Sequence, residues 1–155
     1  MVDLSGRLEG LIHIFPIRVY YEDTDAGNIV YHARYLHFME RARTELLRLL
    51  GTPHSQMIAD FGTMFALRRS ELDFIRPARL DDALEIHSRL IELRGASLVL
   101  EQQVMRGVMR GVMRADETLV NAIIRLACIT PTGRPARMPD RIVGMLSALL
   151  PSSGG

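Results

Sequence analysis

The chain has 155 residues, which favours a single domain, and its net charge of +1 provides no overall field for nucleic acid or an anionic membrane. A chain of this length can build one hydrophobic core without metal or disulfide cross-links, and the single Cys128 cannot form an internal disulfide. No segment has the apolar run of a membrane span or a signal peptide. We therefore expect a cytoplasmic protein, associated at most with the inner membrane surface.

The first half of the chain predicts one strand and one long helix. Residues 1–15 show no hydrophobic period and are expected to be loose. Residues 17–21 are β-branched and aromatic, which is typical of a strand. Apolar side chains then recur at helical spacing from Tyr35 to Leu50, and Gly51 ends the pattern. A loop is expected over residues 52–62.

The second half predicts four strands and a short terminal helix. An antiparallel sheet of about five strands packed on one long, one-sided helix belongs to the α+β class. Turn signals separate the strands. The strands are expected at 64–75, 83–93, 97–104 and 119–129. The helix is expected at 139–150, and a frayed end at 151–155.

A tandem repeat of Val-Met-Arg-Gly units occupies residues 104–115. Four residues are too few for a solenoid repeat, so we expect a lengthened hairpin or a protruding loop. Arg106, Arg110 and Arg114 would give such a loop a basic patch for phosphate or a partner protein. The alternative is a duplication that a loop tolerates without a function.

Chemistry is concentrated between the predicted strand and the long helix, where Glu22, Asp23 and Asp25 enter a glycine-containing loop. The N–H groups at a helix start favour negative charge, including an oxyanion. One such donor, here the backbone N–H near His32, contributes about 3–4 kcal/mol. A nearby carboxylate such as Asp25 can activate water or attack a carbonyl carbon. Thioester hydrolysis suits this set of groups because a thiolate leaves with little help from a general acid.

Each of these residues also has a structural interpretation. An Asp before a helix commonly accepts a local turn or cap hydrogen bond, which applies to Asp25. Asp23 can be solvated or paired with Arg18. His32 can make a local hydrogen bond, and Tyr21 can belong to the core. The sequence has no metal-ligand spacing, phosphate-binding glycine loop or serine-hydrolase elbow, so we expect no metal and no cofactor.

Three consecutive motifs resemble a known family: Tyr-Tyr-Glu-Asp-Thr-Asp-Ala-Gly, Val-Tyr-His-Ala-Arg-Tyr-Leu and Met-Glu-Arg-Ala-Arg. They are similar to the hotdog-fold thioesterases of the 4-hydroxybenzoyl-CoA thioesterase type, and within these to the Tol–Pal-associated, YbgC-type acyl-CoA thioesterases. The resemblance extends to about Pro131. It implies a five-stranded antiparallel sheet wrapped around one long helix, and hydrolysis of an acyl-CoA.

The resemblance also implies roles for particular residues. The family's catalytic Asp falls on Asp25, as nucleophile or general base, and its Tyr and His positions fall on Tyr21 and His32. The oxyanion donor would be the backbone N–H at about His32. Active sites of the family lie at a dimer interface, which implies a homodimer or homotetramer. The acyl group can be carried by CoA or by an acyl carrier protein.

Candidate CoA-binding residues follow from the chemistry of phosphate, which arginine holds by two parallel hydrogen bonds. The turn with Arg94, Gly95 and Ser97 combines a guanidinium, a hydroxyl and backbone N–H groups. Arg76 and Arg79 are the next candidates. Solvation at the surface is the alternative for each of them.

Two other functions are considered beside hydrolysis. One is a non-catalytic hotdog module that docks envelope or lipid-synthesis proteins. The other is a dehydratase or hydratase, whose general base for C–H abstraction has no corresponding motif here. The sequence departs from the family pattern by eight added residues in the repeat and by Asn28, where a second Gly is common. Because Asn tolerates left-handed backbone, we expect the loop to be preserved.

Overall fold

The computed structural model describes residues 3–110 and 113–151, with side chains described outside 108–115. Residues 1–2 and 152–155 lie outside the described residues, so most of the predicted frayed end is not covered. Six strands, three α-helices and one 3-10 turn follow each other along the chain. They are β1 (Arg7–Glu9), β2 (Ile12–Arg18), the 3-10 turn (Tyr21–Asp23), α1 (Arg34–Leu49), α2 (His54–Phe61), β3 (Met64–Phe74), β4 (Ala83–Leu93), β5 (Ser97–Arg110), β6 (Met113–Ile129) and α3 (Asp140–Ser147).

All six strands form one antiparallel sheet in the order β1-β2-β4-β5-β6-β3. The long helix α1 lays its apolar face on this sheet. Phe38, Met39 and Ala42 on α1 are buried in one cluster with Leu84 and Ile124 of the sheet. An α+β fold with one long helix packed on an antiparallel sheet was predicted, and it is confirmed with six strands instead of five.

The predicted helix stripe is correct except at its end. Tyr35, Met39, Ala42 and Leu46 are buried, whereas Leu49 in the last turn is 37% exposed. The predicted terminal helix is confirmed as α3. Within the part of the chain that the structure describes, no helix is long and apolar enough to cross a membrane.

The prediction of no regular structure before residue 17 is wrong. Strand β1 forms a hairpin with β2, and β2 pairs along its length with β4, Ile12 lying opposite Arg89. This strand pairing joins residues about 70 positions apart, so a local hydrophobic period does not reveal it. His13 and Ile14 are buried as a result.

The predicted loop over residues 52–62 is also wrong, because it contains helix α2. Only Met57 among its eight residues is buried, so the apolar stripe is too short to be recognised from the sequence. Gly62 ends the helix with a φ of 63°, a left-handed conformation that glycine adopts readily.

The lengthened hairpin predicted for the repeat is confirmed at the level of the backbone. Strands β5 and β6 pair outward as far as Arg110 opposite Met113. Strand β5 thus continues beyond its predicted end at 104, and β6 begins before its predicted start at 119. Residues 111–112 lie outside the described residues, and so do the side chains of Arg110 and Arg114.

Candidate active site

The acidic loop between β2 and α1 holds two aspartates with opposite environments. Asp23 is 4% exposed, whereas Asp25, two residues later, lies on the surface of the single chain. Two isolated β-bridges hold the backbone of this loop: Thr24 pairs with Val30, and Ile29 pairs with Arg79. The loop therefore presents Asp25 on a fixed backbone.

Asp23 anchors the loop to the start of the long helix. Its Oδ2 accepts a hydrogen bond from the Tyr20 N–H at 2.8 Å, and its Oδ1 lies 2.8 Å from the Arg34 guanidinium in an ion pair. The backbone oxygen of Asp23 accepts the Tyr31 N–H at 3.0 Å. The predicted pairing of Asp23 with Arg18 is wrong, because Arg18 donates to the backbone oxygen of Asp81 instead.

Asp25 occupies the first position of a tight turn. Its backbone oxygen accepts the Asn28 N–H at 3.0 Å, and its Oδ1 accepts the Gly27 N–H at 2.9 Å. Asn28 has a φ of 59°, so the left-handed backbone expected at this position is present. The local turn bond expected of an aspartate at this position is therefore present, and it uses the Oδ1 atom of an exposed side chain.

Two backbone N–H groups directly before α1 have no acceptor among the described residues. The residue before the helix, Ala33, makes no side-chain cap, and the first turn contains no acidic residue. Among the hydrogen bonds of the described residues, none uses the N–H of His32 or Ala33. These groups lie at the positive end of the helix dipole and are suited to hold a negatively charged oxygen.

A cleft of about 240 Å³ opens beside this helix start. His32 lines it from the loop side and Phe74 from the end of β3, with Arg76 at the rim. The Tyr35 hydroxyl accepts the Ala78 N–H at 3.0 Å, and burial raises the pKa of Tyr35, which keeps this hydroxyl neutral. Tyr35 therefore closes the cleft as a structural residue.

Tyr21 lies in the 3-10 turn and is 79% exposed, so the interpretation of Tyr21 as a core residue is wrong. The exposed His32 ring stacks at a tilt against Tyr31, with 4.3 Å between the ring centres. Within the described side chains, Asp25, Tyr21 and His32 form no hydrogen bonds with one another. The structure places all three at the surface around one loop and one helix start.

The candidate CoA-binding residues separate into two groups. Arg94 and Ser97 line a groove of about 430 Å³ at the turn between β4 and β5. Gly95 lies in the same turn, which the Arg94 N–H closes by donating to the Ser97 oxygen at 2.8 Å. The Arg94 side chain is mostly exposed and pairs with Glu92 at 2.7 Å.

Arg76 and Arg79 lie instead next to the Asp25 loop. Arg76 lines the cleft and pairs with Glu117 at 2.6 Å. The backbone of Arg79 pairs with Ile29, and its N–H donates to Asp82 at 2.8 Å. Arg69 of the groove and Phe74 of the cleft lie five residue steps apart on β3, or about 17 Å at ~3.3 Å per step.

The sequence did not single out three further arginines that line the groove, Arg68, Arg69 and Arg125. Arg69 and Arg125 are opposite each other on β3 and β6. Their strand positions come together only through sheet pairing, so no local spacing indicates them. A register shift between Leu67 and Arg69 leaves Arg68 out of the ladder. The basic groove therefore includes three arginines in addition to the turn residues that the sequence predicted.

Arg106, the first arginine of the repeat, is not part of a free basic patch. Its guanidinium binds Glu117 at 2.8 Å and Asp82 at 2.8 Å. These contacts tie the repeat to the turn that follows Arg79. Both sides of this guanidinium are paired with carboxylates, and the role of the residue in binding phosphate or a partner stays a prediction.

Comparisons with known proteins agree with this architecture. The sequence model of the Thioesterase superfamily matches residues 27–112. An acyl-CoA thioesterase YbgC of Haemophilus influenzae is 42% identical over 74% of this chain and 79% of its own length. An acyl-CoA thioester hydrolase YbgC of Escherichia coli is 41% identical over 83% of this chain and 91% of its own length.

A solved structure gives the same result. The crystal structure of a probable thioesterase from Bartonella henselae superposes with a TM-score of 0.73 at 37% identity, covering 83% of this chain and 99% of that chain. The residues that the family model matches include α1, α2 and strands β3, β4 and β5. With its six-stranded antiparallel sheet packed on one long helix, the chain belongs to the hotdog-fold thioesterase superfamily.

Proposed function

We propose that the chain hydrolyses acyl-CoA thioesters to a free acid and CoA, with Asp25 as the reactive carboxylate. The observation that carries this proposal is the Asp25 turn held next to a helix start whose His32 and Ala33 N–H groups have no acceptor among the described residues. The relatives from Haemophilus influenzae and Escherichia coli, which are named acyl-CoA thioesterases, support the choice of substrate class.

In the proposed reaction Asp25 accepts a proton from water as the water oxygen attacks the thioester carbonyl carbon, or the carboxylate attacks this carbon itself. The carbonyl oxygen becomes negative and is held by the N–H near His32. The carbon–sulfur bond then breaks and the thiolate leaves. In the first route the thiolate takes up the proton from Asp25. In the second route an acyl anhydride remains on Asp25, and water hydrolyses it to the free acid and restores the carboxylate. Tyr21 and His32 border the loop and are the side chains proposed to orient the acyl group.

The CoA phosphates are proposed to lie on arginines. Arg76 lines the same cleft as His32, and Arg79 is bridged to Ile29 of the Asp25 loop. Arg94, Gly95 and Ser97 belong to the basic groove farther along the sheet. Arginine binds phosphate through two parallel hydrogen bonds, so the salt bridge of Arg76 to Glu117 would exchange for a phosphate contact.

We further propose that two copies pair through β3. This strand ends the sheet, and on its free side the eleven residues Met64–Phe74 have no strand partner among the described residues. A long edge with unpaired backbone groups is a template for another strand. Phe74 and Ile75 at its end are 54% and 52% exposed and border the cleft. A partner on this edge would cover them and shield Asp25 from bulk water. A tetramer of two such dimers remains a prediction from the resemblance.

The dimer is tested by Leu67→Asp, a charge in the middle of the β3 edge where Leu67 is 48% exposed. Analytical ultracentrifugation should find twice the chain mass for the wild type and a dimer dissociation constant at least tenfold higher for the variant. Leu4→Asp is the matched control, since Leu4 is 74% exposed and precedes β1. A monomeric wild type at micromolar concentration would refute pairing through this edge.

The activity is tested by a hydrolysis screen with purified protein over acyl-CoAs from acetyl to palmitoyl and aromatic acyl groups, in parallel with the same acyl groups on acyl carrier protein. Release of free thiol is followed with a chromogenic disulfide reagent. We expect turnover of at least one acyl-CoA well above the buffer rate. No hydrolysis of any member would favour a non-catalytic module that docks envelope proteins, for which the Tol–Pal association is the prediction from the resemblance.

A further inference from the structure

A second cavity, which shares no residue with the cleft, lies between α1 and the sheet and has a volume of about 200 Å³. Nine leucines and Phe65 line it, together with three polar side chains, Glu40, Arg43 and His54. Cavities of about 150 Å³ with walls of this kind bind molecules as large as benzene. The volume corresponds to roughly seven groups of methylene size, taking ~30 Å³ for each by analogy with liquid water.

Arg43 is a half-buried cation without a salt bridge among the described residues. Its Nη1 donates to the Gln102 oxygen at 3.0 Å, and within the described residues its guanidinium forms no ion pair. Burial lowers the pKa of Arg43, which reflects the cost of removing a charge from water. A charge removed from water is normally compensated by an opposite charge, and here only the electrostatic attraction of Glu40, without a salt bridge, opposes the cost of burial.

Gln102 fixes the direction of this guanidinium. It is fully buried, and its Nε2 donates to the Met39 oxygen at 3.1 Å and to the Ser88 hydroxyl at 2.9 Å. Both ends of the Gln102 amide are thereby assigned, and its oxygen is available only to Arg43. Gln102 thus links the guanidinium at the cavity wall to Met39 on α1 and to Ser88 on β4.

Neither of the other two polar side chains at the cavity, Glu40 and His54, forms a salt bridge with Arg43 among the described residues. Burial and the nearby Arg43 lower the pKa of His54, with a smaller opposing effect of Glu40, so His54 is a neutral hydrogen-bonding group at pH 7. Glu40 lies one helical turn before Arg43 and is exposed, so water screens its charge. A ligand carboxylate would meet the Arg43 guanidinium and an imidazole N–H, and its alkyl chain would meet leucine side chains.

We propose that this cavity binds a medium-chain carboxylate, with the carboxylate on Arg43 and His54 and the alkyl chain among the leucines. The free acid released by the proposed thioesterase reaction has this chemistry, and this choice of source rests on the proposed function. Binding itself does not, because the cavity residues differ from those of the Asp25 loop. Octanoate, with its carboxylate and seven further carbons, matches the cavity volume.

The test is calorimetric titration of wild-type protein with octanoate and with octanamide, which has the same length and no charge. We expect octanoate to bind about 10- to 100-fold more tightly, because a charge-assisted pair is lost with the amide. Arg43→Met should weaken octanoate by a similar factor and leave octanamide nearly unchanged. Arg43→Lys keeps the charge and should retain part of the preference. Arg41→Met, an exposed arginine two residues earlier on α1, is the matched control and should change neither constant.

Equal affinities of the wild type for octanoate and octanamide would overturn the proposal, and this comparison does not depend on any variant folding. Asp25→Asn should leave the octanoate constant unchanged. Tighter octanoate binding in Asp25→Asn would place the ligand at the thioester site and would also overturn the proposal. A protein that hydrolyses no acyl-CoA but discriminates octanoate from octanamide through Arg43 would refute the proposed function alone.

Discussion

Replacing Asp25 with Asn is expected to lower kcat for acyl-CoA hydrolysis by about 10²- to 10⁴-fold with little change in folding. An amide neither accepts a proton from water nor forms an acyl intermediate, so the contribution of general-base or nucleophilic catalysis is lost. The fold should tolerate the change, because the side chain is exposed and its one hydrogen bond, from the Gly27 N–H, is available to an amide oxygen. Steady-state kinetics and a thermal melt on the same preparation measure both effects.

The outcome separates two interpretations of this residue. If Asp25 served only as a turn acceptor, the variant would retain nearly full turnover, since Asn forms the same turn. Turnover within threefold of the wild type would therefore remove Asp25 from the mechanism. A large fall in melting temperature would instead assign the residue to the fold.

Replacing Asp23 with Asn is expected to destabilise the protein by about 2 kcal/mol. The substitution removes the nearer of the two carboxylates that pair with Arg34, since Asp23 lies at 2.8 Å and Glu22 at 3.9 Å. Breaking a buried ion pair costs roughly 3–5 kcal/mol. The Arg34 side chain is 26% exposed, so water recovers part of this energy and the lower figure applies. For a chain of this size the melting temperature should fall by about 4–8 °C. Urea unfolding at fixed protein concentration measures the free energy of unfolding.

Asp23 and Asp25 form a matched pair, because the same chemical change is made two residues apart. We expect stability to respond at Asp23 and kcat to respond at Asp25. An unchanged free energy of unfolding for Asp23→Asn would contradict the anchoring role assigned to its bonds with Tyr20 and Arg34. Equal effects of both substitutions on stability and on kcat would contradict the assignment of Asp23 to the fold and of Asp25 to catalysis.

The long helix and its boundaries were predictable because the information is local. Apolar residues at helical spacing between Tyr35 and Leu46 specify one buried face, and Gly51 interrupts the pattern. Asn28 is a similar case, since its left-handed backbone follows from the turn chemistry of its own residue type. The motif around Asp25 identified the family for the same reason, as its residues are consecutive in the chain.

The errors have a common physical origin in contacts between distant segments. Asp23 pairs with Arg34 across the loop rather than with the nearer Arg18, because the end of β2 directs Arg18 to the turn at Asp81. Helix α2 has Met57 as its one buried residue, which is too few for an apolar period to be recognised in the sequence. The exposure of Tyr21 depends on the 3-10 turn that lifts it from the core.

The sequence alone determined the helix, the alternation of strands and the acidic loop, since each depends on neighbours within a few residues. Only the tertiary structure decided which arginines share a surface and which of the two aspartates, Asp23 or Asp25, is buried. It also decided that Arg43 lines a leucine-rich cavity and donates to the neutral side chain of Gln102. These features arise from the strand order β1-β2-β4-β5-β6-β3 and from the packing of α1 on it. Sheet pairing and packing join residues tens of positions apart, where local periodicity carries no information.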